Sequence, residues 1–182
     1  MEKARLDLYS TSMKLFKNIK KWLEHQEHLF HLFLLILIVP NIILCFTEPM
    51  PVVAKVCNVL LPFAFYYLLM TLSRNCGKMF WILFLFIFFG AFQIVLLYLF
   101  GQSIIAVDMF LNLVTTNSSE AMELLDNLVP ALVSVIILYI PALILAAISI
   151  IKKRKLSPEF IRRERKKAWI ALLIGFISLG AA

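Results

Sequence analysis

Glycine and cysteine are both scarce in this chain. There are five glycines and three cysteines among 182 residues, and 11 Asp+Glu stand against 18 Lys+Arg. The cysteines, Cys45, Cys57 and Cys76, form no CxxC pair and have no zinc-like spacing. Cys45 and Cys57 fall near the same end of two neighbouring apolar runs. A disulfide between them and simple packing of apolar thiols are both open readings, and packing is the commoner use. No small-residue cleavage site follows the first apolar run, so no cleavable leader is expected. Internal repeats and low-complexity linkers are absent as well.

Apolar surface is abundant. Hydrophobic residues make up 62% of the chain, sixteen of them phenylalanine, and the mean hydropathy is +0.91. A soluble domain is about half apolar and has no use for this much oily surface. The formal charge of +7 would suit nucleic acid in a soluble protein. Here the cations other than Lys55 lie in the leader and in loops between apolar runs, which points to a membrane and away from nucleic acid.

The expected fold is all-α, a polytopic membrane helix bundle. It has four full transmembrane helices, about 29–46, 52–72, 79–100 and 128–151, and a truncated fifth, 168–182. A span needs ~20 residues, so the last run stops short of one. Residues 1–28 form a basic leader. Within it Leu15, Phe16, Ile19, Trp22 and Leu23 recur at helical spacing opposite Lys14, Lys17, Lys20 and Lys21. An amphipathic helix on an anionic leaflet and a solvated basic leader fit this pattern equally. Pro40, Pro62, Pro130 and Pro141 lie in or at the ends of the spans, where neighbouring helices can satisfy the freed carbonyls.

Charge sets the orientation. Six Lys/Arg precede the first span, two lie between the second and third, and nine lie in the basic loop 152–167. If the segments alternate, all of these face one side, and Lys55 alone does not. The positive-inside rule makes that side cytoplasmic. The turn 47–51 and residues 101–127 then face the opposite side.

Residues 101–127 contain no Lys or Arg and are long for a connector. Two short surface helices fit, about 107–115 and a second starting after Asn117, with Glu120 three residues on in the manner of a capping box. Asn112, Thr116 and Glu120 are spaced four apart, which on one helix makes a polar stripe. An amide, a hydroxyl and a carboxylate suit a head group bearing a phosphate and an ammonium. Capping and solvation account for the same residues without any ligand. Asn117-Ser118-Ser119 matches the N-glycosylation pattern only weakly. His25, His28 and His31 rotate around a helix and do not share the i,i+4 face that metal sites use, so interfacial histidines are expected and no metal site.

The run Asp108-Met109-Phe110-Leu111-Asn112-Leu113-Val114-Thr115-Thr116-Asn117-Ser118-Ser119-Glu120-Ala121 resembles the outer-helix motif of the lipid A phosphoethanolamine transferases, which include the mobile colistin-resistance enzymes. The D-M spacing is one residue shorter than the commonest form. The remainder, N-x-x-x-T-N-x-x-E-A-x-x-L-L, agrees position for position. Five spans, an insert between the third and fourth, and a basic loop before the fifth also resemble the family's layout.

The resemblance implies a bacterial inner-membrane domain with residues 101–127 periplasmic. It implies donor-lipid contacts at Asn112, Thr116 and Glu120, with phosphatidylethanolamine as donor and lipid A as acceptor. In the family a zinc-activated threonine, on a periplasmic catalytic domain that follows the membrane domain, carries the phosphoethanolamine between the two lipids, a modification associated with polymyxin resistance. None of that apparatus is expected within these residues, so this chain is expected to position the donor lipid without catalysing transfer. The alternatives are a related phosphoglycerol-type transferase and a standalone membrane assembly or transport subunit. Glu120 favours an ammonium over glycerol, and the near absence of charge within the spans argues against transport.

Overall fold

The computed structural model describes residues 21–180 except 101–117, together with Met13, Lys14 and Lys17. For 96–100 and 118–128 it describes the helical backbone. The secondary structure among the described residues is helical throughout. In chain order the helices are α1 (Gln26–Thr47), α2 (Val52–Met70), α3 (Cys76–Ile82), α4 (Phe84–Phe100), α5 (Ser118–Ile151) and α6 (Pro158–Gly180). Three stretches are long and apolar enough to cross a membrane: Gln26–Thr47, Val52–Met70 and Val129–Ile151. The α3–α4 pair makes a fourth if counted as one bent span. Among the described residues the protein is therefore all-α, with helices long and apolar enough to cross a membrane.

Helix α1 is the central element. Leu29, Phe30, Phe33, Leu34, Ile36, Leu37 and Ile38 are all buried, and they point in most directions around its axis. A helix apolar on every side is stable only when enclosed by other helices or lipid. Phe33 stacks on Phe80 of α3 with ring centroids 4.4 Å apart, and Phe30 meets Phe160 of α6 edge-on at 5.4 Å. Helices α2 and α6 run antiparallel, since Tyr67 meets Glu164 at one end and Leu61 meets Gly175 further along. Helices α3 and α5 are also antiparallel, and Gly77 lets them touch. A Cβ there would fall on the Ala146 carbonyl oxygen and lie 3.0 Å from the Ser149 Cβ.

Several boundaries differ from the sequence expectation. The span expected over 79–100 is broken at Leu83, where α3 and α4 meet at 61°; continuous hydropathy carries no mark of this bend. The expected second surface helix and fourth span are one helix, α5, from the first described residue of that stretch, Ser118, onward. The basic loop expected over 152–167 shortens to 152–157. Pro158 takes the first helical position of α6, and the Ser157 hydroxyl accepts the Phe160 N–H at 3.1 Å, an N-cap and N1 arrangement with known preference. The charges of 159–167 obscured this helix start. They sit on a helix because most of them face outward. The expected first surface helix, about 107–115, lies outside the described residues.

Candidate functional site at the basic end

The described cations other than Lys14, Lys17 and Lys55 gather where α1, α3 and α6 begin and α2 and α5 end. At the opposite end Asn41, Cys45, Lys55 and Asn58 tie α1 to α2. The Asn58 side-chain amide donates to the Asn41 carbonyl at 2.9 Å, and the Cys45 thiol donates to the Lys55 carbonyl at 3.4 Å. All three cysteines are free thiols, so of the two readings for Cys45 and Cys57 the structure shows packing.

Two polar clusters hold the basic end. In the first, the turn after α5 is pinned to the turn after α2. The Leu156 N–H donates to the Arg74 carbonyl at 2.7 Å, and Arg74 Nε returns a bond to the Leu156 carbonyl at 3.1 Å. Asn75 caps α3 by accepting the Lys78 N–H at 2.8 Å, while its amide donates to the Ser149 and Arg154 carbonyls. Gln26, from α1, completes the cluster. Its Oε1 accepts from the Ser149 hydroxyl at 2.7 Å and from the Cys76 thiol at 3.4 Å. Three helices are thereby fixed at one level through a single amide oxygen.

The second cluster surrounds Glu164, which is 1% exposed. Lys167 Nζ and Arg163 Nε lie 2.9 and 3.0 Å from Oε1. The Tyr67 hydroxyl donates to Oε2, and His31 Nε2 stands 3.7 Å from the same oxygen. Burial pushes the Glu164 carboxyl up, but the hydrogen bonds from Tyr67, Lys167 and Arg163 outweigh it and hold the group down at about 2. A buried carboxylate is tolerated only when paired and hydrogen-bonded in this way. The adjacent Arg165 donates to the Thr71 carbonyl at 2.7 Å, closing the C-terminal end of α2.

The three histidines separate in role. His28 stacks on Trp22 with centroids 4.8 Å apart, and His25 meets His28 edge-on. His31 lies against Phe30 and Phe160 and faces Glu164. Among the described residues no group of three or more His, Cys, Asp or Glu could hold a metal ion. The zinc that the resemblance implies therefore finds no ligand set among them.

Of the residues expected to contact a donor lipid, Asn112 and Thr116 lie outside the described residues. Glu120 lies in the first turn of α5, where the backbone alone is described. An apolar groove of about 570 Å³ runs between α1 and α5, lined by residues such as Leu32, Leu35, Val39, Ile137 and Pro141, with Ser134 as its one hydroxyl. It contains no charged side chain.

Sequence reasoning passed over Glu164, Tyr67, Gln26, Asn75 and Ser149. One signal was available for Glu164, a lone acid within the run Arg162 to Lys167. The other four are ordinary polar residues at helix ends, and nothing in their spacing links them.

These features define the class as a polytopic helical membrane domain pinned at its charged end. No family model, curated protein or solved structure matches the chain.

Proposed function

We propose that the chain is the membrane domain of a phosphoethanolamine transferase, which moves phosphoethanolamine from phosphatidylethanolamine to lipid A, and that this chain positions the donor lipid. The observation that carries the reading is the pattern N-x-x-x-T-N-x-x-E-A-x-x-L-L from Asn112 to Leu125. It is supported by the described part of that pattern, Ser118 to Leu125, which lies on the end of α5 remote from the basic cluster. The eleven residues from Ser118 to Leu128 extend the helix beyond the span Val129–Ile151 by about 16 Å. Glu120 therefore belongs to a helical continuation of a candidate membrane span.

In this reading α3 and α4 together form the third span, and α6 enters the membrane at Ala168 as the fifth. The basic end faces the cytoplasm by the positive-inside rule, and residues 101–127 meet periplasmic lipid head groups. Glu120 pairs with the ammonium, while Asn112 and Thr116 donate to the phosphate. The carboxylate is the element that favours ethanolamine over glycerol.

The test is lipid retention by the purified chain. Native mass spectrometry from mixed bilayers of phosphatidylethanolamine and phosphatidylglycerol is expected to show the ethanolamine lipid held in excess. Combined Asn112→Ala, Thr116→Ala and Glu120→Ala substitution is expected to remove that excess. Equal retention before and after substitution would overturn the assignment, and an excess of the glycerol lipid would favour the phosphoglycerol alternative.

A further inference from the structure

We infer that the outward face of α6 is a binding site for one anionic phospholipid of the leaflet at the basic end. The argument begins with the inward face. Ile161, Glu164, Ala168 and Gly175 are buried. Glu164 is fastened to Tyr67, and Gly175 packs so closely on α2 that a Cβ would lie 2.8 Å from the Leu61 Cδ2. A polar anchor and a steric anchor about three turns of helix apart fix the rotation of α6 about its own axis.

That rotation decides what the helix shows outside. Arg162, Lys166, Trp169, Leu173 and Phe176 follow one another by four, three, four and three residues, so they lie on one face. All five are exposed, Trp169 at 56%, Leu173 at 63% and Phe176 at 60%. Neither Arg162 nor Lys166 has an acidic partner among the described residues.

The order of chemistry along this stripe follows the depth profile of a phospholipid. The two cations come first. Trp169 stands about 4.5 Å deeper than Lys166 at 1.5 Å per residue, at the level where indole rings prefer to lie. Leu173 and Phe176 lie about 10 and 15 Å below Lys166, within the acyl half of one leaflet. A free phosphate would use only the top of the stripe. A lipid with a net negative head group uses all of it, and adjacent Lys/Arg side chains raise the local concentration of such lipids. The site uses no residue of the 101–127 segment and lies at the end of the bundle opposite Ser118 of α5.

The test uses Trp169 as its own reporter. In a Trp22→Phe, Trp81→Phe background the chain is placed in bilayers of phosphatidylcholine and phosphatidylglycerol, with bromine on the acyl chains of one or the other. Brominated phosphatidylglycerol is expected to quench Trp169 as if enriched roughly fivefold or more over its bulk fraction. Arg162→Gln with Lys166→Gln is expected to return quenching to the bulk value, and Lys155→Gln in the α5–α6 turn to leave the enrichment in place. Equal quenching by the two brominated lipids would overturn the site. So would enrichment that survives the double substitution, or that falls equally with Lys155→Gln, which would indicate a diffuse surface charge.

Discussion

The Tyr67 hydroxyl donates to the carboxylate of Glu164, 97 residues further along the chain. This bond joins the end of α2 to the start of α6. It places the acid under one phenol, one guanidinium and one ammonium. Replacing Tyr67 by Phe removes a hydrogen bond to a charged, buried acceptor, which costs about 2 kcal/mol. Glu164→Ala strands the Tyr67 hydroxyl and removes the anchor of Arg163 and Lys167, with an expected cost of about 3 kcal/mol. Because the two share one interaction, Tyr67→Phe in a Glu164→Ala background should cost far less than it does alone. Thermal unfolding of the detergent-solubilised protein measures this, and additive losses would contradict the coupling.

Acid should weaken the same end of the bundle. The Glu164 carboxyl is held at about 2, below its ordinary value of 4.5. Between these values the unfolded chain binds a proton that the folded chain refuses. The contribution of Glu164 is therefore complete above about 4.5 and is lost as pH falls toward about 2. Unfolding temperature across that window should fall more steeply in the native chain than in Glu164→Gln, in which the group no longer titrates. Parallel curves would show that Glu164 does not carry the effect.

Glycine at position 77 is a steric requirement. Gly77→Ala drives a methyl into the Ala146 carbonyl. The backbones of α3 and α5 must separate, at a cost of roughly 1–3 kcal/mol. The Asn75 bonds to the Ser149 and Arg154 carbonyls should weaken with it. Gly180→Ala is the matched control, because a Cβ there meets nothing within 4 Å. A thermal shift of equal size in both variants would refute this account.

The orientation assigned from charge is open to direct measurement. In a cysteine-free background, Ser157→Cys at the start of α6 should react with a membrane-impermeant thiol reagent only from the cytoplasmic side. Ser118→Cys at the start of α5 should react only from the other side. Reversed labelling would invert the topology and move the 101–127 segment away from periplasmic lipid.

Much of the fold was legible in order of residues. The spans 29–46 and 52–72 correspond to α1 and α2 within a few residues, because long apolar runs end sharply at Pro49, Pro51 and Arg74. The capping pattern at Asn117 lies outside the described residues, and α5 is helical from its first described residue, Ser118. The bend at Leu83 was not legible, since Met79 to Phe100 is apolar on both sides of it. The start of α6 was hidden for the opposite reason. Its first ten residues include seven charges, which read as a loop until the structure shows Phe160, Ile161 and Glu164 turned inward and most of the charges outward.

By itself, the sequence determined that this is a helical membrane protein and which ends of its helices share the basic side. Hydropathy and charge are local properties, summed over neighbours in the chain, and the bilayer acts on those sums directly. Only the tertiary structure decided that Glu164 is a buried keystone among the charges of its helix, and that Arg162, Lys166 and Trp169 share the outward face. Those assignments depend on the rotation of α6 about its axis. That rotation is set by Tyr67 and Leu61 on α2, about a hundred residues away in the chain, and no local pattern encodes it.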